Sequence, residues 1–327
     1  MRWRRTGSVT LGGAALAIAL GAEGLAAAPA PGAQDPPPVP VVGPDSSAPP
    51  SPAASVPAAV AWRDDWPRFR VWEYAGTVAA GVTSFYFRRY RPPPPQAKWQ
   101  GDNWFDDQIR SWLRAETPEG RRRSQYASDR LAELGYVIPF GIDLTVALFA
   151  HGQLPLAWQM LMMDLEAFAV SGLINNVLFY QVGRGRPSAH DCAASQAYDD
   201  LCAIGANASL PSGHVLTIAT GAGLACVHHR YLPLFGRPWA DASACGFMVA
   251  ATLATAVTRI MADRHYASDD LVGIAIGFGA GYGLPWLLHY RYGAGASPAT
   301  ASDASRSLSL FPMGGRTSGG LGLVGLF

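Results

Sequence analysis

The chain has little lysine and little charge of either sign. Lys98 is its one lysine among 327 residues, charged residues make up 15% of the sequence, and the formal net charge is +1. This balance gives no electrostatic basis for a polyanion partner, so we expect no nucleic acid to bind. With 49% hydrophobic residues, the sequence is also too apolar for an intrinsically disordered chain.

Signatures of metal and nucleotide binding are lacking as well. The sequence has no cysteine and histidine spacing typical of a zinc site, no glycine-rich nucleotide-binding loop and no internal repeat. We therefore expect neither a metal ion nor a cofactor. Of the four cysteines, Cys192 and Cys202 are expected to form a structural disulfide. Cys226 and Cys245 lie within apolar helices and are expected to be buried free thiols.

Both ends of the chain differ in composition from its middle. Residues 1–28 combine an arginine-containing start, an apolar run and a final alanine stretch, which is the pattern of a secretory signal peptide. Residues 29–60 are dominated by proline, alanine, valine and serine and predict an extended, semi-rigid linker. Residues 294–327 form a glycine- and serine-rich tail in which two short strands around a turn predict a β-hairpin.

Residues 61–293 contain the apolar segments of one helical domain. The length of these segments and the lack of short alternating runs favour helices over strands, so we predict an all-α fold. A polar stretch, residues 92–130, interrupts the series and is expected to form amphipathic helices lying on the bundle. Frequent glycine in the last segment permits close helix approach. The six segments are residues 71–87, 134–150, 156–182, 214–228, 245–261 and 271–290.

Several segments are long enough to cross a bilayer, but two observations argue against six spans. Asp164 and Glu166 lie in the third segment, and a carboxylate at mid-bilayer costs about 2.5–3.5 kcal/mol. If all six crossed, the loop with Cys192 and Cys202 would face the cytoplasm, where a disulfide does not persist. We expect a protein of the cell envelope with its functional face in the periplasm, and its depth in the inner membrane stays open.

Basic residues are scarce in the helical domain and concentrate near helix ends. Between residues 131 and 290 there are six, all arginine. Four of them, Arg184, Arg186, Arg259 and Arg264, lie at the ends of the third and fifth apolar segments. Because a planar guanidinium binds phosphate or carboxylate oxygens in pairs, this pattern favours an anion site over arginines that merely cover a bundle.

Residues 211–214 open the fourth apolar helix with the groups that an anion site needs. Pro211 suits a first helical turn, Ser212 can cap it, and Gly213 lets the backbone approach a ligand closely. The free N–H groups of a helix N-terminus suit a phosphate. His214 follows directly and can give a proton to a leaving oxygen. Taken alone, the segment also fits a capped helix with an incidental histidine.

His265 and Asp269 are spaced four residues apart. On a helical turn this spacing places both on one face, so the Asp269 carboxylate can accept a hydrogen bond from one ring nitrogen of His265. The other nitrogen is then free to act as a nucleophile, and the aspartate would orient the ring as it does in a catalytic triad. An exposed histidine and aspartate at a helix start is the alternative for this pair.

Together, these pieces resemble the type 2 phosphatidic acid phosphatase (PAP2) and vanadium haloperoxidase superfamily. Its signature is K-x6-R-P, then P-S-G-H, then S-R-x5-H-x3-D. The resemblance covers residues 155–290 and implies the six-helix bundle of that family. In this sequence the three motifs read Phe179-x6-Arg186-Pro187, Pro211-Ser212-Gly213-His214 and Thr258-Arg259-x5-His265-x3-Asp269.

The resemblance implies a metal-independent phosphatase that cleaves a phosphomonoester or diphosphate. His265 would attack phosphorus while Asp269 holds its ring, and His214 would protonate the leaving group and later activate water. The residues implied as phosphate ligands are Arg186, Arg259, Ser212 and the Gly213 amide.

Two positions depart from the family pattern. Thr258 replaces serine and keeps the hydroxyl. Phe179 stands where the family has lysine, which removes one cationic phosphate ligand. Arg184, two residues before Arg186, is the candidate to compensate for it.

Three functions therefore stay open. The first is a phosphatase acting on a phosphorylated lipid or a small phosphoester, with association to the membrane. The second is a haloperoxidase that binds vanadate in place of phosphate, and the missing lysine counts against it. The third is a catalytically degenerate envelope protein in which Phe179 marks the loss of function.

Overall fold

The computed structural model describes residues 60–91, 94–100, 103–195, 198, 202, 207–292, 307–315 and 318–326. These residues all fall in one compact unit of the chain, residues 56–327. The predicted signal peptide and nearly all of the predicted linker lie outside the described residues.

The described part of the domain is helical, which confirms the all-α prediction. Its longer helices surround a central one, and its shorter helices lie in the connections or at the end of the domain. The helices are α1 (Val71–Tyr90), α2 (Trp104–Leu113), α3 (Pro118–Tyr136), α4 (Leu154–Val182), α5 (Pro187–Ala194), α6 (Gly213–Tyr231), α7 (Pro238–Met261), α8 (Ala267–Phe278) and α9 (Leu284–Leu288).

The tail contains two paired strands where the sequence predicts a hairpin. They are β1 (Ser307–Gly315) and β2 (Ser318–Leu326). The strands are antiparallel, and Ser307 lies opposite Leu326.

Helix α3 differs from the sequence prediction. Its N-cap is Thr117, whose side chain accepts a hydrogen bond from the Gly120 N–H at 3.1 Å. The helix continues through π-helical turns at Val137–Asp143 and Val146–Ala150. Residues 118–130 are therefore the polar first turns of the helix that becomes apolar at residue 134, and not a separate surface helix. The physical reason is that no helix-breaking residue separates the two parts.

Helix α6 is the central helix of the bundle and packs against α3, α4, α7 and α8. Its residues 218–229 are all buried. Close approach depends on glycine, as predicted, at Gly277 and Gly281, where a Cβ atom would collide with the backbone of α6. Gly279 and Gly283 do not have this role, because a Cβ there would have no atom within 4 Å.

Four helical stretches of the described chain are long and apolar enough to cross a membrane. Large apolar side chains such as Phe149, Phe247 and Leu253 are exposed on their surfaces. Helix α6 is not one of the four, and its apolar residues are buried by the other helices. The four stretches are Pro118–Ala150, Leu154–Val182, Pro238–Met261 and Ala267–Tyr292.

The four cysteines stand in two pairs at disulfide distance. The sulfur atoms of Cys192 and Cys202 are 2.01 Å apart, which is the expected pairing. Those of Cys226 and Cys245 are 2.02 Å apart, so the expectation of buried free thiols is wrong. The reason is the close packing of α6 and α7, which brings the two Cα atoms to 4.4 Å.

Candidate active site

The elements that carry the three motifs meet at one end of the bundle. Residues after α4 reach the loop before α8, where Arg186 Nη1 donates a hydrogen bond to the Arg264 carbonyl at 3.3 Å. The start of α6 reaches α8, where the Ser212 N–H donates to the Asp269 carbonyl at 3.1 Å. Segments far apart in sequence thus enclose one site, which we call the arginine end of the bundle.

His265 lies buried at the arginine end, just before α8. Its Nδ1 is 2.7 Å from the carbonyl oxygen of Ser209. Because a carbonyl only accepts, Nδ1 carries the hydrogen and, in the neutral ring, Nε2 keeps its lone pair. Burial and the positive charges of Arg186 and Arg259 hold the pKa of His265 well below its usual value. The ring is therefore neutral near pH 7 and Nε2 is nucleophilic.

Asp269 does not contact His265 as the spacing predicts. Its Oδ2 is 3.9 Å from His265 Nδ1. It accepts instead from the Ser209 hydroxyl at 2.6 Å and from the Tyr266 N–H at 2.9 Å. The spacing rule fails because His265 precedes α8, which starts at Ala267, so the two residues do not share a helical face. Asp269 thus fixes Ser209, whose carbonyl orients the histidine.

Arg184 is not placed as a substitute for the missing lysine. The guanidinium is fully buried between the rings of Trp99 and Tyr266, each 4.2 Å from its centre. Its Nη2 is 2.7 Å from Asp106 and its Nη1 is 2.6 Å from Asp269. Because the carboxylates of Asp106 and Asp269 already bind its guanidinium, Arg184 joins α2 to α8.

His214 and Arg259 share a partner on α3 that the sequence reading missed. Asp129 Oδ1 is 3.0 Å from His214 Nε2 and 3.5 Å from Arg259 Nη1. The same Arg259 Nη1 donates to the Ser128 hydroxyl at 3.2 Å. Buried residues Arg121, Ser124 and Ser128 recur every three or four positions on α3, but they are polar, so no hydrophobic period in the sequence identifies this face.

The electrostatics of this end are dominated by positive charge. Burial and the nearby Arg259 and Arg264 lower the pKa of Arg186 to about 9. Partial burial, followed by the charges of Arg259 and Arg186, lowers the pKa of His214 to about 3. A bound anion would offset the repulsion between these guanidinium groups. Phosphate suits this role because two of its oxygens can accept paired hydrogen bonds from a planar guanidinium.

Phe179 occupies the site at the position where the family has lysine. A Cβ atom built on Gly213 would lie 3.7 Å from Phe179 Cζ and 3.6 Å from Asn175 Oδ1. A phenyl ring and an amide therefore face the start of α6. Lys98 does not fill the gap, because its Nζ donates to the carbonyl of Tyr180 at 2.7 Å. Asn175 lies beside this position although it belongs to none of the three motifs.

The loop that carries His265 is held by side chains from other elements. Asp263 has φ of 59°, a left-handed conformation that is uncommon for a residue other than glycine. Arg110 of α2 binds both of its carboxylate oxygens, at 2.7 and 2.8 Å. The Tyr198 hydroxyl donates to the same carboxylate at 2.7 Å. These contacts fix the turn between α7 and α8 and hence the backbone of His265.

Comparison with known proteins supports the reading of the motifs. Residues 161–292 match the family model described as the PAP2 superfamily. A lipid A 1-phosphatase of Porphyromonas gingivalis is 30% identical over 160 residues, which is 48% of this chain and 31% of the relative. A lipid A 1-phosphatase of Rhizobium etli is 31% identical over 108 residues, which is 33% of this chain and 41% of the relative.

The chain spans less than half the length of these curated relatives. No solved structure matches it. The resemblance drawn from the three motifs is nevertheless confirmed, and residues 161–292 belong to the PAP2 superfamily.

Proposed function

We propose that the chain is a phosphatase that hydrolyses a lipid phosphate through a phosphohistidine intermediate. The observation that carries the proposal is the placement of His265. Its Nδ1 is held by the Ser209 carbonyl, its Nε2 keeps a lone pair, and Arg186 and Arg259 lie close enough to lower its pKa. A neutral nucleophile among cations is the arrangement that attack on a phosphate dianion requires.

The first chemical step would transfer the phosphoryl group to the protein. The Nε2 lone pair of His265 forms a bond to phosphorus as the bond from phosphorus to the leaving oxygen breaks. His214 gives that oxygen its proton, so the lipid leaves as an alcohol. Arg186 and Arg259 stabilise the charge on the three remaining oxygens.

The second step would release inorganic phosphate. Water attacks phosphorus, His214 takes the proton of the water, and the phosphorus–nitrogen bond breaks with its electron pair returning to His265. His214 gives up a proton in the first step and regains one in the second, so the protein ends in its starting protonation state. Neither step needs a metal ion or any other cofactor.

A lipid substrate is proposed on two grounds. The curated relatives are named as lipid A 1-phosphatases, and the described chain has four helices able to cross a membrane. We therefore infer that the phosphate is presented at a membrane surface in the cell envelope. The periplasmic side is favoured because the predicted signal peptide exports the chain.

The test is a substrate panel assayed with the full chain in detergent and without added divalent metal. The panel holds lipid A 1-phosphate, phosphatidic acid, an isoprenoid diphosphate and a small chromogenic phosphoester. We expect turnover of at least one lipid, inhibition by vanadate, and an acid-labile phosphoryl label that is lost in His265→Ala. The matched control is His151→Ala, because His151 bonds to the Leu234 carbonyl, at 2.8 Å, just beyond the end of α6 opposite to His214. Normal turnover in His265→Ala would contradict the mechanism.

A catalytically degenerate protein is the second candidate, and Phe179 is the observation that favours it. The phenyl ring beside Gly213 takes the place of a cationic ligand, and Arg184 is engaged by Asp106 and Asp269. This candidate predicts no turnover on any member of the panel, although the purified protein unfolds cooperatively. It also predicts no phosphoryl label on His265.

A further inference from the structure

A second cluster of chemically active side chains lies away from the phosphatase motifs, where the first and last helices of the domain meet α4. Glu73 belongs to the first turn of α1, Glu166 lies in α4, and His289 follows α9. All three are buried, with exposed fractions of 0%, 6% and 0%. One ligand atom from each lies within 4.8 Å of the other two. We call this group the Glu–His cluster.

The orientation of His289 is fixed by the backbone. Its Nδ1 is 2.8 Å from the carbonyl oxygen of Pro67, which can only accept. The hydrogen is therefore on Nδ1, and Nε2 of the neutral ring presents a lone pair to the cluster. Metal-binding histidines are typically held in this way, with one nitrogen hydrogen-bonded to a carbonyl and the other directed at the ion.

The atoms that face each other in the cluster are all acceptors without a donor. Glu73 Oε1, Glu166 Oε2 and His289 Nε2 are buried and have no hydrogen-bond partner among the described residues. Nε2 approaches Glu73 Oε1 to 3.4 Å without forming a hydrogen bond. Burying unpaired carboxylate oxygens and an imidazole lone pair around one point is costly, and a cation at that point removes the cost.

Neighbouring groups orient the carboxylate of Glu73. Its second oxygen, Oε2, accepts from the backbone N–H of Arg70 and from Arg70 Nε at 3.1 Å. The same guanidinium donates through Nη2 to the Leu288 carbonyl at 2.6 Å. These bonds leave Oε1 directed at the cluster and join the start of α1 to the residues around His289. They are the outer contacts that a bound metal needs to hold its ligands.

We propose that Glu73, Glu166 and His289 bind a divalent transition-metal ion that ties together α1, α4 and the segment after α9. One imidazole and two carboxylates suit zinc, which binds such ligands at about 2.0–2.2 Å. The ligand atoms would close by roughly 1 Å around the ion, a movement within the reach of side-chain rotation. Its role is structural, and the proposal does not depend on the phosphatase activity.

The first test measures metal in the full-length protein purified in detergent. After loading with zinc and gel filtration, we expect about one zinc per chain by mass spectrometry. Zinc at a hundredfold excess over its Kd is expected to raise the Tm by about 5–10 °C relative to the chelator-treated protein. Cobalt in place of zinc should give the visible absorption of a protein-bound ion. Less than about a tenth of an equivalent of zinc, with no change in Tm, would overturn the proposal.

The second test asks whether the ion is bound by this cluster. Glu166→Gln and His289→Gln remove one ligand each and should lose the zinc and the Tm shift. The matched control is Asp164→Asn, which alters a buried carboxylate on the same helix that is bonded to His228 and not to the cluster. It should keep the zinc. If either glutamine variant fails to fold, the wild-type Tm shift and the remaining variant still test the assignment. Equal zinc content in the glutamine variants and wild type would refute it.

Discussion

Helix α6 carries a histidine at each end, and the two ends have opposite chemistry. At its start, His214 lies near Arg186, Arg259 and Asp129, and burial with the two positive charges lowers its pKa to about 3. At its other end, His228 Nε2 is 2.9 Å from Asp164 Oδ1 and its Nδ1 is 2.8 Å from the Tyr290 hydroxyl. The residue type is the same, but arginines surround one end and carboxylates the other.

At the second end of α6, which we call the carboxylate end, the ionisable side chains are buried. His229 lies between Asp241 at 2.7 Å and Asp143 at 3.3 Å, and all three are buried. The Glu–His cluster also places carboxylates beside an imidazole. A buried carboxylate needs a partner, and histidine provides it for Asp164, Asp143 and Asp241. Asp164 of α4 bonds to His228 of α6 and so joins these two helices.

The largest difference between the two ends is expected when one histidine is removed from each of them. His265→Ala removes the proposed nucleophile and should lower kcat by at least about a thousandfold with little change in Tm. His228→Gln removes the partner of Asp164 and should lower the free energy of unfolding by about 1–3 kcal/mol, while kcat per folded molecule is kept. Turnover and thermal unfolding of both variants check this, and a loss of turnover in both would mean that the ends are not separable.

Two arginines two residues apart should contribute to stability to different degrees. Arg184→Leu leaves the buried carboxylates of Asp106 and Asp269 without their cation and should lower the free energy of unfolding by about 3–5 kcal/mol. Arg186→Leu removes a guanidinium that Arg259 and Arg264 repel, so it should lower that free energy by less than Arg184→Leu does. The same variant should weaken vanadate binding by about a hundredfold.

Urea unfolding and vanadate inhibition of the two variants give the measurement. Equal destabilisation by both would contradict the expected difference. Vanadate binding that survives in Arg186→Leu would remove it from the anion site.

A smaller effect is expected from restoring the family lysine. Phe179→Lys would place an ammonium near Gly213 and Asn175 and should raise kcat/KM by about tenfold, chiefly through a lower KM. Phe179→Leu is the control, because it changes the ring without adding charge. If wild type is inactive and only the lysine variant turns over, the degenerate candidate is correct. If the lysine variant is slower than wild type, the ring has a role in binding the lipid.

The sequence predicts the arginine end better than the carboxylate end. His214, His265 and Arg186 stand in short motifs with fixed spacing, so their meeting could be foreseen. Asp129 could not, because nothing in the sequence relates α3 to α6 before they pack. Ser209 was missed for another reason, since its backbone carbonyl orients His265 and backbone contacts leave no residue signature.

The sequence does not predict the contacts of the carboxylate end. Glu73, Glu166 and His289 are widely separated along the chain, and no motif spacing joins them. The fold was predicted more fully because hydrophobic period and segment length depend on local sequence. The prediction of the fold failed at α3, where a polar stretch and an apolar stretch form one helix.

The last prediction concerns protons at the arginine end. With its pKa near 3 in the free protein, His214 is unprotonated near neutral pH and cannot act as an acid. A bound phosphate or vanadate dianion cancels the field of Arg186 and Arg259, so the pKa should rise and binding should take up a fraction of a proton. Calorimetry of vanadate binding in buffers with different ionisation enthalpies measures this uptake, which should be reduced in His214→Gln.

The same shift sets the sign of a stability effect. Because the unfolded chain binds the proton near pH 6.5 and the folded protein only near pH 3, His214 should make the free protein less stable as the pH falls through this window. Bound vanadate should weaken that loss, and His214→Gln should remove the His214 contribution with or without the anion. Melting curves across the window, compared between wild type and the variant, decide the point. An anion that leaves the pH dependence of wild type unchanged would mean that His214 does not sense the site and is not the proton donor.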